Sequence, residues 1–324
     1  MRDIVGPGGE CLSRNDRITG AVMTSTSLKI SLEDVLASAQ LPALPQTAIR
    51  LLELSQDASN GPVEFAKPIE ADAGLMGQVL RFVNSSYFGF AREIASVRQA
   101  LQLVGVRTIK NFALWSAVFS LIPNPKFGPF DLKNLWQDSL RRAVFSRLLG
   151  RILKLPNSED LFAAALLQDM AIPLLLKELP EQYAEMIERR GIEHVRLSHL
   201  EREMFGWDHA QAAAALCRNW KLPEEFAAII ERHTEFGDLI SAQPRKLDAA
   251  CVALASLLPT CKDDEWAERD SFIAGINLLL PGGNGTVLEL LQQADAAFDE
   301  FAPLMNLPVP ERSLVNWIEG QQPL

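Results

Sequence analysis

LFAAALLQDMAIPLLL, residues 161–176, decides how this chain folds. The run is apolar apart from Gln168 and Asp169, and Pro173 interrupts it. A membrane-spanning helix needs about 20 continuous apolar residues, and no other window comes closer, so no span is expected. A segment this apolar on every side reads instead as a helix buried inside a water-soluble protein. The carboxylate within it is costly unless a cation or hydrogen bonds satisfy it. The question is what partner Asp169 finds.

Working outward, the pattern is helical almost throughout. SLEDVLASAQ begins at Ser31 with acids in the first turn, where the helix dipole favours them. Pro45 and Pro62 suit helix starts, and Pro68 should kink or end the helix that Pro62 opens. AGLMGQVLRFVNSS (73–86) and TIKNFALWSAVFSLI (108–122) carry apolar residues at helix spacing, which makes Met76, Phe82 and Trp115 core candidates. Asp131 is an N-cap candidate for a long helix, and Asp208 and Pro223 open two later ones. Strict two-residue alternation is nearly lacking, so the expected class is all-α. The breaker cluster NPKFGPF (124–130) sets a lobe boundary. Four segments follow: a flexible leader over 1–27, an N-terminal helical lobe over 28–124, a second helical lobe over 125–240, and a C-terminal helical extension over 241–324.

With 324 residues and a hydrophobic fraction of 48%, the chain can bury a substantial core. A net charge of −10 argues against a general nucleic-acid or anionic-membrane binder. The four cysteines, Cys11, Cys217, Cys251 and Cys261, form no CxxC pair and read as reduced thiols of a cytoplasmic protein.

Most motifs weigh toward structure. His194 and His199 are five apart, about 140° around a helix, so they do not share a metal there. PGGNGT (281–286) lacks the lysine of a phosphate loop and reads as a turn, and there is no GxSxG elbow. Arg147, Arg151 and Lys154 fall at i, i+4 and i+7, which predicts one solvated basic face; the alternative is a docking patch for an acidic partner or RNA. Without interleaved aromatics, nucleic acid is not expected. His209 follows the Asp208 cap. His233 sits near the end of its helix, where an imidazolium gains from the dipole.

The stretch LPALPQTAIRLL through NFAL (41–114) resembles the first half of the HDOD domain, a signalling-output relative of the HD metal-dependent phosphohydrolases. LWQDS (135–139), ALLQDMA (165–171), EREMFGWDHAQAAAALCRNWKLPEE (201–225) and IIERH (229–233) resemble its second half, in order. The resemblance implies an HD-like multi-helix bundle with extra C-terminal helices. Carried over residue by residue, the first metal-binding His of the HD enzymes falls on Asp138. Their His-Asp pair falls on Gln168-Asp169, their later His positions on His209 and His233, and their last Asp near Ser256. The pair has lost its His, and an amide is a poor ligand compared with imidazole. The resemblance therefore implies no catalytic residues, no cofactor and at most weak divalent metal at Asp138, Asp169, His209 and His233. Asp169 is expected to bond with Gln168, Asp138 or His233, and a His233 bond would stand in for the cation. The expected role is a non-catalytic regulatory module of bacterial signal transduction, acting through protein partners, with a nucleotide-like ligand in the former cleft as a further option. The alternative is a residual metal-dependent phosphohydrolase acting on a nucleotide or cyclic dinucleotide.

Overall fold

Side chains at the helix starts explain much of the architecture. A computed structural model of the chain describes residues 30–320 apart from 40, 42, 127, 129, 244 and 282–285. The expected leader and most of the expected glycine-rich turn lie outside the described residues. Ser31 accepts the Asp34 amide to open α1 (Leu32–Ser38). Then come α2 (Gln46–Ser55) after Pro45 and α3 (Pro62–Ala71). Pro68 does not end α3: the helix runs three residues past it, keeping Phe65, Ala66 and Ile69 on its buried face. Asp72 and Ser96 cap α4 (Ala73–Val83) and α5 (Val97–Val104). Gly105, at φ +96°, turns the chain directly into α6 (Val106–Leu121), a conformation that side-chain-bearing residues rarely adopt.

Asp131 caps α7 (Leu132–Ile152), the longest helix described. Five helices follow: α8 (Ser158–Leu167), α9 (Ile172–Glu178), α10 (Pro180–Glu193), α11 (Leu197–Phe205) and α12 (His209–Asn219). The chain continues through α13 (Glu224–Glu231), α14 (Phe236–Ser241), α15 (Leu247–Ala255), α16 (Arg269–Leu279) and α17 (Val287–Phe301). A 3-10 turn (Ala302–Met305) and α18 (Leu314–Ile318) complete it. No strand occurs among the described residues, and the fold is all-α as expected.

The centre of the molecule is α7, which packs against α8, α15 and α17. Its crossing with α8 is close because residue 150 is glycine: a Cβ there would lie 2.7 Å from Leu161 Cδ1. One hydrophobic core runs from Val35 to Trp317 and crosses the proline-rich break between α6 and α7. The C-terminal helices belong to that core, since α15 also packs against α8 and α13.

Centrality overturns the expected basic face. Arg147 is buried, with its guanidinium carbon 4.2, 4.7 and 4.8 Å from the ring centroids of Tyr87, Phe162 and Phe301. Lys154 lies beyond the helix end at φ +56°, so only Arg151 of the three is an exposed helical cation. A helix surrounded by neighbours has no solvated face to carry a stripe.

Candidate functional site

Gln168 ends α8 and Asp169 sits in the turn after it. His209 is the first residue of α12, set by Asp208, whose carboxylate caps Ala210 and Gln211. His233 stands two residues past the end of α13 rather than within it. Three helix ends thus deliver three polar side chains to one point. His209 Nε2 and His233 Nε2 each lie 3.4 Å from Asp169 Oδ1, and 3.3 Å from each other. The Gln168 amide donates to Asp169 Oδ2 at 3.3 Å. Every one of these side chains is buried.

The remaining partner is Arg142, whose guanidinium donates to Asp169 Oδ2 from α7. Asp138, one turn earlier on the same helix, does not join the cluster. Its Oδ1 accepts the Cys261 amide at 2.8 Å, and burial pushes its carboxyl up to about 6 against the pull of Arg142 and Arg141. Near His233, Ser256 Oγ is 2.8 Å from the His233 carbonyl and accepts from Arg196 at 2.8 Å. That serine braces the backbone of His233 and offers no ligand toward Asp169.

The protons follow from the geometry. Burial alone would raise the Asp169 carboxyl, but the Arg142 guanidinium and the His209 imidazolium hold it well below the usual carboxylate range. His209 is buried, yet Glu201 and Asp169 outweigh the burial and push it up to about 10. Glu201 is itself buried; its Oε2 accepts from His209 Nδ1 at 2.6 Å and from the His209 backbone amide at 2.9 Å, while Tyr183 donates to Oε1 at 2.6 Å. His233 goes the other way: burial lowers it, so the expected imidazolium is replaced by a neutral ring. Its Nδ1 donates to the Ile230 carbonyl at 2.7 Å, which leaves Nε2 as an acceptor facing His209. The result is two cations, Arg142 and His209, balanced by two carboxylates, Asp169 and Glu201.

Among the described residues, Asp169, His209 and His233 could hold a metal, with ligand atoms within 4.8 Å of one another. The donor set does not fit a divalent ion. A ligating imidazole must be deprotonated, and Glu201 and Asp169 favour the protonated form of His209. Arg142 occupies the second oxygen of Asp169, Gln168 supplies an amide, and Asp138 is engaged elsewhere. Chemically the arrangement holds charge in place, with its buried carboxylates, imidazoles and guanidinium bonded to one another.

Sequence reasoning missed Arg142, Glu201 and Tyr183. Arg142 left a trace, since LRRAVF places two arginines among apolar neighbours on a long helix. Glu201 left none.

The model of the HDOD domain matches residues 41–236, more than half of the chain. An uncharacterized protein of Treponema pallidum is 24% identical over 216 residues, 64% of this chain and 40% of its own length. The uncharacterized protein YuxH of Bacillus subtilis is 28% identical over 149 residues, 46% of this chain and 35% of its own length. The chain therefore spans two fifths or less of these curated relatives. Among solved structures, an HDOD domain protein of unknown function from Geobacter sulfurreducens superposes with a TM-score of 0.67 at 20% identity, covering 86% of this chain and 97% of that one. A candidate phosphohydrolase from Shewanella amazonensis gives 0.62 at 23% identity, covering 84% and 96%. A candidate signal transduction protein from Marinobacter aquaeolei gives 0.58 at 20% identity, covering 85% and 63%. At these identities the structures establish a shared fold, and the family match establishes the rest: this chain belongs to the HDOD domain family.

Proposed function

We propose that this protein is a non-catalytic output module of a bacterial signalling pathway, working in the cytoplasm through contacts with other proteins. The observation that carries the proposal is the Arg142 guanidinium on Asp169. An internal cation supplies the charge that the HD resemblance would assign to a metal. HD chemistry depends on a metal that brings the pKa of bound water near neutrality, and here the charge comes from a group that activates no water. Burial of the whole cluster supports the same reading, because a substrate phosphate would have to reach residues that are each about a tenth exposed or less. The absence of any helix long and apolar enough to cross a membrane, among the described residues, is compatible with the cytoplasmic setting.

A residual metal-dependent phosphohydrolase is the second reading, favoured by the convergence of Asp169, His209 and His233. One experiment separates the two: elemental analysis of purified protein, with phosphodiesterase and phosphatase assays in added Mn²⁺ and Mg²⁺. The non-catalytic reading expects metal far below one equivalent and no turnover. Near-stoichiometric metal with turnover that Asp169→Ala abolishes would overturn it.

A further inference from the structure

A cavity of about 320 Å³, lined by none of the residues of the Asp169 cluster, opens between α4, α6, the start of α7 and the residues around the 3-10 turn. That size falls within the range of small-molecule clefts, about 300–1,000 Å³. Its wall is a continuous series of rings. Phe82 stacks on Phe112 with centroids 4.3 Å apart, Phe112 meets Trp115 edge-on at 4.7 Å, Trp115 lies 5.2 Å from Phe119, and Phe119 stacks on Trp136 at 3.9 Å. Met305 and Leu307 face them from the C-terminal segment.

The mouth is polar and of one sign. Arg81 is the only charged residue lining the cavity, and it makes no ion pair or hydrogen bond among the described residues. Gln78 lies one turn before it on α4, so both line the same opening, with Phe82 beside them. The Gln78 carbonyl oxygen already accepts from Ser116 Oγ at 2.6 Å, which fixes the amide and leaves its N–H groups available. The five rings pack on one another as one aromatic wall, and the cleft lies open between that wall and the C-terminal segment. On a protein with net charge −10, a free arginine at that slot selects for the opposite sign.

We propose that this cleft binds a small planar aromatic anion, its ring system against Trp115 and Phe119 and its carboxylate or phosphate on Arg81 and Gln78. The C-terminal segment forms part of the cleft, so occupancy would clamp it against α4 and α6. This site is independent of the Asp169 cluster and stands whether or not that cluster is catalytic.

The test is isothermal titration calorimetry of the full chain with two probes, 2-naphthoate and adenosine 5′-monophosphate, and with uncharged 2-naphthamide as control. At least one anionic probe should bind saturably with one site per chain, and naphthamide at least tenfold more weakly. Losing a charge-assisted contact in Arg81→Gln should weaken the anion by about tenfold. Ser120→Trp, at an exposed position on the cavity wall, should block it. Both positions are exposed, so unchanged melting temperatures confirm intact folding. The proposal is overturned if neither anion binds, if naphthamide binds as well as naphthoate, or if binding survives both substitutions unchanged.

Discussion

Replacing Arg142 with Met removes the charge opposite Asp169 and keeps an extended side chain in its place. The Arg142 and Asp169 side chains are 11% and 5% exposed, so the substitution strands a carboxylate away from water. Removing one partner from a buried ion pair costs about 3–5 kcal/mol. Asp169 keeps His209 at 3.4 Å and the Gln168 amide at 3.3 Å, which places the expectation at the lower end, about 3 kcal/mol. For a chain of this size that is a fall of about 6 °C in Tm, taking about 2 °C per kcal/mol. Urea unfolding at pH 7 of the wild type, Arg142→Met, Asp169→Asn and the double variant closes a cycle. The double variant should recover more than half of the loss, because neither charge remains buried. The pH dependence has a defined sign. In the wild type the depressed Asp169 contributes stability above its ordinary value of 3.8, lost as pH falls through its lower folded value. In Arg142→Met, burial raises that carboxyl, so the variant's deficit narrows as pH falls. A loss below about 1 kcal/mol, or an equal loss in the Asp169→Asn background, would show that Arg142 acts through packing and not through charge.

Added Mn²⁺ or Zn²⁺ should raise the Tm of Arg142→Met more than that of the wild type, and equal shifts in both proteins would refute the substitution of guanidinium for metal. His209 is raised from 6.5 to about 10, so its contribution is complete below 6.5 and lost as pH climbs through about 10. The stability difference between wild type and Glu201→Gln, read from urea midpoints, should shrink across that window; a constant difference would separate Glu201 from His209. Arg147→Lys should destabilise by about 1–2 kcal/mol, because an ammonium does not stack flat among Tyr87, Phe162 and Phe301; thermal unfolding reads this directly. Gly150→Ala should cost about 1–3 kcal/mol through overpacking against Leu161, and Leu161→Val should relieve part of it in the same assay.

Helix starts were legible because a cap is a local event. Ser31, Asp131 and Asp208 bond to amides two or three residues ahead, and the sequence holds both partners within one turn. The buried arginines were not legible for the opposite reason. Spacing along LRRAVFSRLLGR predicts which residues share a face, but whether that face meets water depends on α8, α15 and α17, drawn from as far downstream as Phe301. Arg147 therefore reads as solvated from spacing and as buried once Phe162 and Phe301 arrive. The same limit hid Glu201, whose role appears only when α11 lies against the first turn of α12. Asp169, His209 and His233 were identified through their order along the chain, and they do meet.

What order alone did not supply was the logic joining the departures from the HD pattern. Asp138 and Arg142 are one helical turn apart on α7 and share a face, yet Arg142 reaches Asp169 while Asp138 is held by the Cys261 amide. Once an arginine holds Asp169, an imidazole at position 168 would bring a second protonatable group against the guanidinium. An amide avoids that conflict: Gln168 donates to the same Asp169 oxygen without adding charge. Gln168 is then more than the loss of a ligand. It is the side chain that keeps a hydrogen bond to the carboxylate while leaving the charge balance of Arg142, His209, Asp169 and Glu201 undisturbed.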